Sequence, residues 1–382
     1  MKKNIVTSIL ILTFIISCTS IQDYGEIQND HNFISLEIAK APSFKLETLI
    51  KDVTYIKLEV NKNSIIGDVD KILYLNERFY IFDKQITKSV FVFSKNGKFL
   101  YKINRQGHGP GEYILPIGFD VDSFENIYIG DNATRKILRY DKSGNFVDDI
   151  HCEFYFEDFS YIGNGKILIN SVYTDGKPIM TLGIWDSNDD KIKRIVPSRD
   201  VYDDLDVPSF SSQNLFKSDS IIYVNPPFSN FIYKVYPNQI TKAFNFNQEF
   251  CPPIEFIIDL KSDINITLRN NKYIIGVRDI YETSDFIYMK YLKQFPTNLV
   301  ISKKTMNPLS YYKINDKRYL SDEQIYGIAN NCFVSLIKPE TANNKWKEKV
   351  NNSTLSVEQK SKLLSFNTES NPIVCLIEFN QF

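Results

Sequence analysis

Histidine is almost missing: 382 residues contain three, His31, His108 and His151. A zinc site takes at least three protein ligands, several of them usually histidine, so no metal site is expected. Neither Gly-x-x-x-x-Gly-Lys nor Gly-x-Ser-x-Gly occurs, which removes the phosphate loop and the usual serine-nucleophile elbow. Asp186-Ser-Asn-Asp-Asp190 lacks the glycine and the distal acid of a calcium loop and reads as a hairpin turn. Neither sign of charge dominates. With 45 basic and 46 acidic residues the net charge is −1, which gives no electrostatic footprint for nucleic acid. Cysteine is scarce too, at five. Cys332 and Cys375 sit in apolar strand patterns and read as buried free thiols, and if any pair is bridged it is these two.

What the chain has is aromatic strand sequence, with 23 Tyr and 28 Phe. Six short apolar strands recur, beginning at Phe79, Ile127, Ile167, Ile221, Phe286 and Cys332, so consecutive units lie 40 to 65 residues apart. Periods of roughly 40–50 residues belong to propeller blades. Such a ring also evades the limit of about 250–300 residues on a single core, because each blade brings its own core. Within a unit the strands pair as hairpins. Val90-Phe-Val-Phe-Ser-Lys-Asn-Gly-Lys-Phe-Leu100 turns at Asn-Gly and is apolar on both strand faces, as a sheet stacked between two others requires. The expected fold is all-β, a six-bladed propeller of four-stranded antiparallel blades over residues 46–382. The last unit, Gln324–Ala329, Cys332–Ile337 and Ile373–Phe379, is one strand short. The alternating stretch Val53–Val60 is free to supply that strand and close the ring. Two insertions interrupt the pattern: an irregular one at 247–272, and one at 339–371 that reads as partly helical, with a capping box at Ser356-Val-Glu-Gln359 before Lys360–Phe366.

At the N-terminus Lys2 and Lys3 precede a largely apolar run, Ile5 to Ile16, too short to span a membrane but suited to a signal peptide. It ends Ile15-Ile-Ser-Cys18, which resembles a bacterial lipobox. That resemblance implies a signal peptide at 1–17, lipid attachment at Cys18, a tether over 18–45, and membrane association through the lipid. Thr19 stands where inner-membrane retention uses Asp, so the implied address is the outer membrane.

The order from Arg105-Gln-Gly-His-Gly-Pro-Gly-Glu-Tyr113 through Asp131 to Phe146 resembles one NHL repeat. Together with the lipobox and the six units, it makes the chain similar to the six-bladed β-propeller lipoproteins of Bacteroidota. The likeness is strongest over residues 66–147. It implies fold and envelope location but no general activity.

Arg105, His108, Glu112 and Tyr113 are the candidate ligand-binding residues, a charged and hydrogen-bonding rim at one channel mouth. The competing reading has the glycines make an inter-blade crossover that Arg105 and Glu112 tie down. Asp83 and Asp131 recur after the second strand and read as structural anchors. Tyr202-Asp-Asp-Leu-Asp206 reads as a solvated acidic loop. The expected function is a non-enzymatic binding or scaffold module for a protein, peptide or glycan, with no cofactor and no catalytic residue. The alternative is a hydrolase or lyase acting through channel-lining carboxylates. A mouth ringed by Tyr, Trp and Arg favours the first, and clustered acids favour the second.

Overall fold

The computed structural model describes residues 21–23, 34–36, 43–174, 177–194, 215–218, 220–226, 228–236, 239–246, 248–262 and 272–382. Cys18, the signal peptide and the acidic loop at 202–206 lie outside these residues. The described strands form six sheets, one for each expected unit. Blade one comprises Lys71–Leu75, Arg78–Asp83, Ser89–Ser94 and Phe99–Ile103, and blade two Pro116–Val121, Ile127–Asp131, Lys136–Tyr140 and Phe146–His151. In both, the first strand lies innermost and later ones step outward, all antiparallel. Blades three to six have as first strands Asp158–Gly163, Phe216–Ser218, Gly276–Glu282 and Gly327–Ala329.

Burial of both faces follows directly from the sequence pattern. Phe91 and Phe93 pack with Val334, Leu336 and Val374 of blade six. Their neighbours Val90 and Val92 point the other way, to Phe119, Ile129 and Leu138 of blade two. At about 1.5–3 kcal/mol for each large apolar side chain removed from water, these inter-blade layers are the main source of stability. Similar layers join blade two to three through Phe154, Phe159 and Trp185, and three to four through Leu182, Ile222 and Val235.

The ring closes as expected. Ile50–Lys57 is the outer strand of blade six, antiparallel to Ile373–Phe379, with Cys375 opposite Tyr55. The strand begins and ends three residues before the stretch read from sequence. Cys332 and Cys375 do not pair. The register sets Ser335 opposite Cys375, and all four described cysteines are free thiols.

Two features depart from the expected plan. First, three blades have a fifth strand. Ile21–Asp23, Ile34–Leu36 and Ser43–Leu46 each add a parallel strand to the outer edge of blades three, four and five in turn. Pieces of the stretch read as a tether therefore cover sheet edges, because a paired edge is more stable than an exposed one. Second, Ile254–Ser262 is helical within the stretch read as irregular. The insertion of blade six is partly helical, as expected: it holds Asn344–Asn351 and Val357–Leu364, and its Trp346, Val350, Leu363 and Phe366 join the core of blades four to six. Ser356 Oγ accepts from Gln359 N at 3.2 Å, half of the capping box. The Gln359 side chain donates instead to Val53 O, tying the insertion to the closing strand.

Candidate functional site

The axis of the ring is filled by charged side chains from the innermost strands. In blade two, Asp120 is fully buried and receives Lys217 Nζ of blade four at 2.8 and 2.9 Å. Its carboxylate also accepts from Ser160 Oγ at 2.6 Å and the amides of Val121 and Tyr161. The remaining lysine proton reaches Val121 O at 2.8 Å. Lys71 of blade one faces Asp158 of blade three at 3.9 Å, both nearly inaccessible. These pairs pin blades across the channel. With a lysine and three further donors on its two oxygens, Asp120 has no acceptor position left for a substrate.

Blade five differs. Asp279 sits in the left-handed region (φ 55°) at a bulge in Gly276–Glu282. Burial raises its pKa, opposed by Lys290 and Arg278 at 3.9 and 3.8 Å. Burial also lowers the pKa of Lys290, whose Nζ donates to Glu323 O at 3.1 Å. The Glu323 carboxyl is pushed up to about 7, chiefly by burial.

The glycine loop lies between the fourth strand of blade one and the first of blade two, at the ring face where second strands also lead into third strands. Tyr113 belongs to the inter-blade core, not to a rim. It is fully buried, with its hydroxyl 2.7 Å from Lys88 O and 3.1 Å from Ile103 O. Glu112 accepts the Gly109 amide at 2.7 Å, so it ties the loop to itself. Arg105 and His108 are exposed. Asp83 and Asp131 are buried anchors. Asp83 accepts from the amides of Gly67, Asp68 and Ile86, and Asp131 from those of Leu115 and Thr134. A cavity of about 530 Å³ on this face, beneath helix Asn344–Asn351, is lined by Asp322, Lys338, Trp346 and Lys349.

The opposite face, where first strands turn into second strands, holds a cavity of about 580 Å³ on the axis. Five blades contribute to it. Its floor is aliphatic: Ile72, Leu75, Val121, Ile162, Ile222 and Ile328. One wall is the pair Tyr128–Tyr161, stacked at 4.4 Å and 13°. The rim bears Ser123, Asn126, Asn164 and Ser220, with Phe124 80 % exposed. Three charged residues also line it, and each has an internal partner. Asp122 accepts from Phe124 N, Asn126 N and Asn126 Nδ2, each at 2.9 Å, and from Tyr128 OH at 3.1 Å. Burial and that carboxylate raise the Tyr128 phenol's pKa. Arg139 makes a two-point pair with Asp148, Nε to Oδ1 at 2.8 Å, and Lys217 is held by Asp120. Such a volume, an apolar floor and few polar groups are the usual make-up of a small-molecule site.

None of the four residues picked from sequence borders this cavity. Its own residues are scattered from Ile72 to Ile328 on strands and the short turns that join first strands to second ones. The available signal was the requirement that Tyr or Arg ring a mouth, which Tyr74, Tyr128, Tyr161 and Arg139 meet.

The sequence profile of DUF4934, a domain of unknown function, matches residues 31–378. The chain belongs to this family. No curated protein matches the sequence. Among solved structures, the DUF4934 chain resembles a protein of Bacteroides fragilis NCTC 9343 described as exported, at 22 % identity and TM-score 0.69 over 89 % of this chain and 99 % of that one. It also resembles a member of the DUF4221 family from Bacteroides vulgatus ATCC 8482, at 9 % identity and TM-score 0.53, covering 88 % and 99 %. At such identities the likeness is one of fold. Among the described residues no helix is long and apolar enough to cross a membrane.

Proposed function

We propose that this DUF4934 propeller is an exported module, lipid-anchored at Cys18 in the outer membrane, that binds a ligand without transforming it. The channel mouth opposite the glycine loop is its binding site. One observation carries the reading: an axial cavity with an aliphatic floor and a tyrosine wall, whose acid and bases all have internal partners. A mouth built in this way offers contact area and hydrogen bonds, not a reactive group. The signal-like N-terminus and the resemblance to a protein described as exported support the location.

The carboxylate reading finds its support in Asp279, Asp322 and Glu323, all raised in pKa chiefly by burial. Of the three only Asp322 borders a described cavity, the one beneath helix Asn344–Asn351, where its Oδ1 accepts from Gln324 N and Ser335 Oγ at 3.1 Å each. No second acid lines that cavity beside it except Glu340, and Asp279 is 7 % exposed. Binding is the better account.

Peptide and glycan arrays probed with the purified chain test the proposal, with Ser220→Trp as control, since exposed Ser220 lies on the rim. The expected result is a ligand class held by the wild type and lost in the variant. Binding unaffected by S220W would remove the mouth as the site.

A further inference from the structure

We infer that the axial cavity takes an uncharged ligand with an apolar body and a hydroxyl-bearing edge, the chemistry of an aryl or alkyl glycoside. This rests on the binding role proposed above and adds the class of ligand. The argument is a count of hydrogen-bonding capacity. A carboxylate offers about four acceptor positions. Asp122 has all four occupied, by the amides of Phe124 and Asn126, the Asn126 side chain and the Tyr128 hydroxyl. A cationic ligand would have to displace one of these donors.

An anionic ligand fares no better. Lys217 has its three protons directed at the two Asp120 oxygens and Val121 O. Pulling it outward would leave Asp120, at 0 % exposure, without its counter-charge, and an unpaired buried charge is strongly unfavourable. Arg139 is held at two points by Asp148, but a guanidinium has five N–H groups. Those left over can donate to a neutral hydroxyl without breaking the pair, whereas a carboxylate placed there would meet the like charge of Asp148, which already neutralises the guanidinium.

The remaining surface selects positively. Ile72, Leu75, Ile162 and Ile222 accept an apolar body. Ser123, Asn126, Asn164 and Ser220 present hydroxyl and amide groups at the rim, suited to sugar hydroxyls. Exposed Phe124 adds an aromatic surface at the entrance.

Calorimetric titration of the full chain with three probes tests the inference: 4-nitrophenyl β-D-glucoside, the corresponding glucuronide, and glucose. The glucoside should bind, the glucuronide at least about tenfold more weakly because its carboxylate finds no free cation, and glucose not measurably. S220W should abolish glucoside binding. Phe124→Ala, at an exposed site, should keep the fold and weaken binding several-fold. A glucuronide that binds as tightly as the glucoside, or a glucoside that fails to bind at millimolar concentration, overturns the inference. So does glucoside binding that S220W leaves intact. If the arrays instead show a charged ligand lost in S220W, the binding role stands and the neutral class falls.

Discussion

Glu323 stands on the loop between blades five and six with Oε2 buried and without a hydrogen-bond partner. Its other oxygen accepts the Ile314 amide at 3.1 Å. Burial raises the carboxyl to about 7, against the pull of that amide, Lys290 and Lys313, and Asp322 adds to the rise. In the unfolded chain a glutamate titrates near 4.3. Between these values the folded protein holds a proton that the unfolded chain releases. Stability therefore falls as pH rises from about 4.3 to 7, and the contribution is fully lost above 7. Glu323→Gln should flatten this slope and raise the unfolding midpoint at pH 8 but not at pH 4. Urea titrations of both proteins across that range check it, and parallel curves would show that Glu323 does not carry the effect. Tyr113 and Glu112 illustrate the limits of reading single residues. Their chemistry suits a rim, yet the same hydroxyl and carboxylate serve equally well to knit a loop.

At the scale of elements, the sequence was most legible where periodicity is enforced by packing. The Val90–Phe93 alternation foretold two buried faces, and both exist. The insertions were legible only in part: the capping box at Ser356 marks Val357–Leu364, whereas Ile254–Ser262 and Asn344–Asn351 have no such box. Asn344–Asn351 buries only Trp346 and Val350, so its own pattern is weak. The place of the cavity was not legible, since its lining comes from five blades and no local spacing marks it; only the kind of residue, Tyr and Arg at a mouth, could be named. The glycine loop, by contrast, can be tested directly. Gly111 has φ 69°, and a Cβ there would come within 2.5 Å of the Phe146 ring on the outer strand of blade two. Gly111→Ala should lower stability by more than about 1 kcal/mol, through both the backbone conformation and the clash. Thermal unfolding of the variant measures this. An unchanged midpoint would mean that the loop yields freely.

At the scale of the molecule, three successive blades carry a strand from the segment that precedes the propeller's own strands. These three short strands cover the outer edges of blades three, four and five. A chain starting at residue 48 keeps the closing strand Ile50–Lys57 and should retain its β-sheet circular dichroism. Its three uncovered edges should then pair with other copies, giving self-association by light scattering that the full chain does not show. A truncated chain that stays monomeric would assign no protective role to these strands.

Closure has a temporal side as well. Ile50–Lys57 waits for Ile373–Phe379, a partner more than 300 positions downstream. The four antiparallel strands of blades one to five come from neighbouring segments, whereas the sixth demands that two distant segments meet. Pairings so distant in sequence are slow to find. Such a pairing should form late in folding, and until it does the strand Ile373–Phe379 presents a bare edge to its surroundings.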